Sequence, residues 1–184
     1  MATDISTYRF NHTMIRVKDP QVSLKFYEEI LGMKLIDKMD FPEKEFTLYF
    51  LAYVRDVLPE TTDEKIKYIF SREAVLELTH NWKTELDPNF EYHHGNKDPR
   101  GFGHLAIAVD NIEAACKRFD DNEVKFIKRL TDDGKDQRII NNNNLNSRKL
   151  ITHLILRKLA MKNIAFIADP DGYWVEIIQI PTKT

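Results

Sequence analysis

From His12 to Val17 apolar and polar residues alternate (His-Thr-Met-Ile-Arg-Val), the two-residue period of a strand with one covered face. Asp19 then offers a helix N-cap, and Pro20 suits the first helical position, where its missing N–H costs nothing. Val22, Phe26 and Ile30 follow at four-residue spacing, a helix stripe that ends at Gly32, a helix-terminating residue. Strand-like runs come next at Met33 to Asp37, Phe46 to Tyr53 and Ala74 to Leu78. The charged region 54–73 between the last two predicts a helical or loop insertion.

The second half repeats the pattern. His104-Leu-Ala-Ile-Ala-Val109 predicts a strand, Asp110 an N-cap, and Ile112, Ala115, Cys116 and Phe119 a helix stripe. Val124 to Lys128, Ile164 to Ala168 and Tyr173 to Ile178 predict three further strands, the last two joined by an Asp-Pro-Asp-Gly turn at 169–172. Each half therefore reads as a β-α-β-β-β module, and the fold expected is α+β, two tandem modules forming curved mixed sheets. The expected boundaries are 8–81 for the first module, 82–101 for a linker and 102–180 for the second, within one functional domain spanning 1–184. One stretch departs from the pattern. Residues 136–160 open on an Asn-rich low-complexity tract and continue into a Lys/Leu/Ile-rich tail. They read as an insertion, either genuine or an unspliced intron or gene-model artefact that impairs the protein.

The repeat extends to chemistry. His12 and His104 open the first strand of each half, and Glu77 and Glu176 sit inside the last. A strand histidine taken alone is ordinarily a hydrogen-bonded core or surface residue, and a strand glutamate ordinarily faces water. The same pair at the same place in both halves argues for one compensating centre. A carboxylate among apolar strand residues is costly without a partner. Two imidazoles and two carboxylates suit zinc, nickel, cobalt, iron or manganese. If the two sheets face each other, all four can reach one cation. Phe46, Leu48 and Phe50 alternate along one strand face with Phe41 just before, which reads as ordinary core or as an apolar pocket. Arg16 shares a face with His12 and Met14 by the period of two, within reach of an anionic substrate.

Composition narrows the partners. Twenty-seven basic and 29 acidic residues leave a net charge of -2, which argues against a nucleic-acid partner held by a basic face. The single cysteine, Cys116, excludes an intrachain disulfide, and a reducing compartment is the default. No apolar run of membrane-spanning length occurs, and no secretory signal follows the polar start, so a cytoplasmic location with no membrane partner is expected.

Five segments carry a resemblance. His12-Thr-Met-Ile-Arg-Val-Lys-Asp-Pro20, Phe26-Tyr-Glu-Glu-Ile-Leu-Gly-Met33, Leu76-Glu-Leu-Thr-His-Asn-Trp82, Asp98-Pro-Arg-Gly-Phe-Gly-His104 and Asp169-Pro-Asp-Gly-Tyr-Trp-Val-Glu176 are similar to the glyoxalase I family of lactoylglutathione lyases. The likeness covers the chain outside 136–160. It implies a vicinal-oxygen-chelate fold, a homodimer with active sites at the interface, and a metal held by His12, Glu77, His104 and Glu176. The first ligand is glutamine in some members and histidine in others. Zinc is the metal expected, with nickel and cobalt next. Glutathione is the implied cosubstrate, held by Arg16 and Asn81 of one subunit and by Arg100, Lys128, Lys135 and Met161 of the other. Phe41, Phe46, Leu48 and Phe50 would take the aldehyde's side chain. The implied reaction detoxifies methylglyoxal. It isomerises the methylglyoxal–glutathione hemithioacetal to S-D-lactoylglutathione through an enediolate, with Glu176 as base and Glu77 its counterpart toward the other substrate hand. A dioxygenase of the same fold is the competing enzyme class. It typically uses two histidines and one carboxylate, and the fourth donor, Glu77, argues against it.

Overall fold

The computed structural model describes residues 3–130 and 164–181. The chain divides into two compact units, Met1–His93 and His94–Thr184, each built on one four-stranded open sheet.

In the first unit the strands are β1 (His12–Arg16), β2 (Lys34–Phe41), β3 (Phe46–Ala52) and β4 (Val75–Asn81). Their order across the sheet is β1-β4-β3-β2, with β1 parallel to β4 and the other neighbours antiparallel. Helix α1 (Pro20–Lys25) begins as its sequence predicts: the Asp19 carboxylate accepts from the Gln21 amide, and Pro20 occupies the first turn. The helix then widens into a π-type turn over Phe26–Ile30 and stops at Gly32, whose φ of +78° lies in the left-handed region that glycine enters without strain. Val22, placed on the apolar stripe by its spacing, is instead half exposed, while Phe26 and Tyr27 carry the buried face. A short helix in such a position needs only one turn of cover.

The charged region after β3 contains helix α2 (Thr62–Phe70), capped by the Thr61 hydroxyl. Its Ile69 is fully buried in a cluster with Ile36, Phe50, Ala52 and Val75, flanked by Met39 and Leu48. Burying a side chain of this size is worth about 1.5–3 kcal/mol, and it fixes α2 over one end of that sheet face.

The second unit repeats the arrangement. Strands β5 (His104–Val109), β6 (Phe126–Lys128), β7 (Ile164–Ala168) and β8 (Trp174–Gln179) lie in the order β5-β8-β7-β6, again with the first and last strands parallel. Helix α3 (Ile112–Asp121) buries Ile112 and Phe119. Its N-cap is Asn111, whose side-chain oxygen accepts from the Ala114 amide, one residue later than the Asp110 its sequence suggests. Gln179 explains the shift, because its carbonyl oxygen takes the Ile112 amide and its amide group donates to the Asp110 carbonyl. The turn at 169–172 closes as expected, with the Gly172 amide donating to the Asp169 carbonyl. Residues 136–160 lie outside the described residues.

Candidate metal and substrate site

The parallel pairing of first and last strands brings each histidine beside its glutamate. In the first unit Met14 lies opposite Glu77, which places His12 two residues up the neighbouring strand. His12 Nε2 then stands 3.4 Å from Glu77 Oε2. In the second unit Ala106 lies opposite Glu176, so His104 holds the same offset, and its Nε2 stands 3.2 Å from Glu176 Oε2. The two pairs are equivalent in register as well as in sequence. Each combines a histidine about two-fifths exposed with a glutamate more than four-fifths covered.

The donors fit a cation. Two ligands each about 2.1 Å from one ion lie about 3.0–3.4 Å apart in octahedral or tetrahedral geometry, and both pairs fall in that interval. Among the described residues each unit brings only two such groups together, and no cluster of three or more His, Cys, Asp or Glu side chains forms. Each pair thus offers two donors.

The surroundings of Glu77 form three cross-strand rows on one sheet face. Asp37, Phe50, Glu77 and Met14 make the first; Met39, Leu48, Thr79 and Arg16 the second; Phe41, Phe46 and Asn81 the third. Apart from Asp37 and Met14, these rows are apolar on β2 and β3 and polar on β4 and β1. Phe41 and Phe46 stack with ring centroids 4.7 Å apart. Phe50 is only 2 % exposed and meets Phe70 edge-on, so it forms the floor of the apolar half rather than its rim. Arg16 is exposed at the polar edge. Asn81 accepts a hydrogen bond from the Tyr92 hydroxyl at 3.2 Å.

Sequence reasoning passed over Thr79, whose hydroxyl donates to Glu77 Oε1 at 3.4 Å while His12 faces the other oxygen. Its place two residues beyond Glu77 on the same strand face is the signal that could have found it.

In the second unit Lys128, Phe166, Glu176 and Ala106 form one row, which puts Lys128 on the glutamate's face. The His104 ring meets the edge of Phe166, which also contacts Trp174. Arg100 sits in the loop entering β5, highly exposed, with Asp98 at 3.7 Å. Lys135 and Met161 lie outside the described residues.

Other histidines belong elsewhere. His80 is buried on the opposite face of the first sheet, bound to Glu85 at 2.6 Å. It lines a depression of about 630 Å³ with Asp19, Lys38, Asp40 and Trp82. That depression contains neither His12 nor Glu77, so the His–Glu geometry rather than the concavity marks the candidate site. His94 accepts from the Asn96 amide in the loop before β5.

Known proteins resemble this chain over most of its length. Residues 9–177 match the family model described as the Glyoxalase/Bleomycin resistance protein/Dioxygenase superfamily. The chain is 49% identical over 173 residues to a lactoylglutathione lyase of Pseudomonas aeruginosa, covering 94% of this chain and 82% of that one. It is 47% identical over 177 residues to the lactoylglutathione lyase of Schizosaccharomyces pombe, covering 96% of this chain but 46% of that longer protein. Among solved structures, the trypanothione-dependent glyoxalase I of Leishmania major matches with a TM-score of 0.58 and 28% identity, over 94% of this chain and 86% of that one. Two mixed sheets of matching topology, a His–Glu pair at one register in each, and these similarities place the chain in the Glyoxalase/Bleomycin resistance protein/Dioxygenase superfamily.

Proposed function

We propose that the chain is a lactoylglutathione lyase, isomerising the hemithioacetal of methylglyoxal and glutathione to S-D-lactoylglutathione. One observation carries the reading: two register-equivalent His–Glu pairs in a chain nearly half identical to lyases of that name. The competing dioxygenase reading would leave one of the two carboxylates without a role.

In this reading His12, Glu77, His104 and Glu176 hold one divalent cation, zinc before nickel or cobalt. Bound there, the cation supplies Lewis-acid polarisation of the substrate's neighbouring oxygens. The chain's own part is proton transfer and positioning. Glu176, 16 % exposed on its strand, takes the proton from one substrate carbon and returns it to the next. Glu77 is its counterpart toward the other substrate hand, steadied by the Thr79 hydroxyl. The Arg16 guanidinium presents a fork matched to a glutathione carboxylate, and Asn81 adds a neutral donor one row away. Arg100, Lys128, Lys135 and Met161 complete the glutathione contacts from the second unit. The Phe41–Phe46 stack, with Leu48 and the Phe50 floor, covers the aldehyde's side chain.

The working assembly in this reading is a cytoplasmic homodimer, one chain's first-unit pair completed by its partner's second-unit pair. A two-donor half-site in each unit supports it, because neither half alone saturates a cation.

The test is thioester formation by the full chain from methylglyoxal and glutathione. It is run after chelation and again after zinc, nickel or cobalt is returned. Activity that disappears with the metal and returns with one of the three is expected. Metal-loaded protein without turnover overturns the lyase reading, and sedimentation at the monomer mass overturns the dimer.

A further inference from the structure

The two halves of the site differ in one respect that the repeat does not predict. His12 is preceded by Asn11, and His104 by Gly103, which has no side chain to offer. Asn11 donates both amide hydrogens to backbone carbonyls, that of Ile69 at 2.8 Å and that of Arg72 at 2.7 Å. These carbonyls belong to the end of α2 and the turn after it. The two bonds settle which way the amide faces, because only nitrogen can donate to a carbonyl. The remaining group, Oδ1, stands 2.8 Å from His12 Nδ1. An acceptor there requires that Nδ1 carry the ring hydrogen. In a ring that carries one hydrogen, Nε2 is then left with its lone pair, facing a carboxylate oxygen of Glu77 at 3.4 Å. Lone pair against carboxylate is unfavourable until a cation stands between them.

We infer that Asn11 is a positioning residue for the metal centre, one that locks the His12 imidazole in its Nδ1–H form and aims Nε2 at the ion. This rests on the metal site read above, and it goes beyond the ligand set to the group that orients one member of it. Partners of this kind typically set metal affinity by about 10–100-fold. The Asn11 backbone also takes part, since its carbonyl accepts from the Val75 amide at 3.0 Å at the start of β4. Asn11 thereby fastens α2, β1 and β4 at one point. His104 has no equivalent clamp among the described residues, and the edge of Phe166 bounds its ring instead.

The test uses nitrogen-15 spectra of the imidazoles in metal-free full-length protein, together with zinc affinity measured against a competing chelator. In the wild-type chain the neutral His12 ring is expected to carry its hydrogen on Nδ1. In Asn11→Ala and Asn11→Leu the spectrum is expected to shift toward the Nε2–H form, with zinc bound about 10–100-fold more weakly. His104 signals should stay unchanged in both variants. A wild-type His12 in the Nε2–H form overturns the inference, whether or not either variant folds. So does a folded variant that binds zinc within about twofold of wild type. A wild-type chain that binds none of zinc, nickel and cobalt, with His12 still in the Nδ1–H form, overturns the metal reading and reduces Asn11 to a structural partner of the His12 ring.

Discussion

At the scale of single residues, the site is made of unequal partners in equal positions. Glu77 accepts from the Thr79 hydroxyl as well as facing His12, whereas among the described residues Glu176 faces His104 alone. A carboxylate with fewer fixed bonds is the freer of the two to move a proton. Glu176→Gln keeps an oxygen donor but removes the base. It is expected to lower kcat by about 100- to 10,000-fold with KM changed little, and Glu77→Gln is expected to cost less. Steady-state rates on the hemithioacetal measure both, and a larger loss at Glu77 would reverse the assignment. Cys116 sits outside this chemistry. Burial on the inner side of α3 pushes its thiol up, Asp120 adds to the effect and Arg129 opposes it. A raised thiol is less ionised at neutral pH, so alkylation of Cys116 should be slow there and accelerate only above the range of a free cysteine. Rates of iodoacetamide labelling across pH check this; fast labelling at pH 7 would contradict it.

At the scale of elements, the strands were the most legible part of the sequence. β5 and β7 run over the residues expected of them, each a short apolar run with polar or turn residues just beyond its end. What sequence could not carry is contact between distant segments. The α3 cap moved to Asn111 because Gln179, far along the chain, takes the Ile112 amide and binds the Asp110 carbonyl. Asn11 escaped notice for the same reason, since its partners are carbonyls at the end of α2. Val22 fell outside the core because its four-residue spacing ignored how short α1 is. The loop into β5 offers a test at this scale. Gly95 has a φ of +82°, and a Cβ there would lie 2.2 Å from the Phe102 carbonyl oxygen and 2.4 Å from its nitrogen, both backbone atoms that cannot swing aside. Gly32 shares the left-handed φ but has nothing within 4 Å. Gly32→Ala should therefore cost about 1–2 kcal/mol, the left-handed penalty alone. Gly95→Ala should cost more and lower Tm by at least roughly 4–8 °C. It should also weaken metal binding, because this loop leads directly to His104. Calorimetry on the two variants decides; equal shifts would mean the loop yields.

At the scale of the whole molecule, the repeat states what the chain needs and what it can lose. In the first unit β2 and β3 are joined by residues 42–45 alone. The equivalent strands of the second unit, β6 and β7, pair antiparallel yet are separated by residues 129–163. Removing 136–160 leaves residues 129–135 and 161–163, ample for an antiparallel connection. The shortened chain is expected to fold and to keep its thioester-forming activity. Loss of the second unit on deletion, seen by calorimetry, would show that the segment is structural. The order of strands carries a further consequence, one of timing. Each His–Glu pair joins the first strand of a unit to its last, so residues 12 and 77, or 104 and 176, meet only after everything between them has been made. Such contacts close late, because the cost of bringing distant segments together precedes any gain from pairing them. During synthesis, then, a ribosome-bound chain ending before β4 holds His12 without its glutamate. Closure of a His–Glu pair thus becomes a built-in report that a unit has been translated and folded to its end.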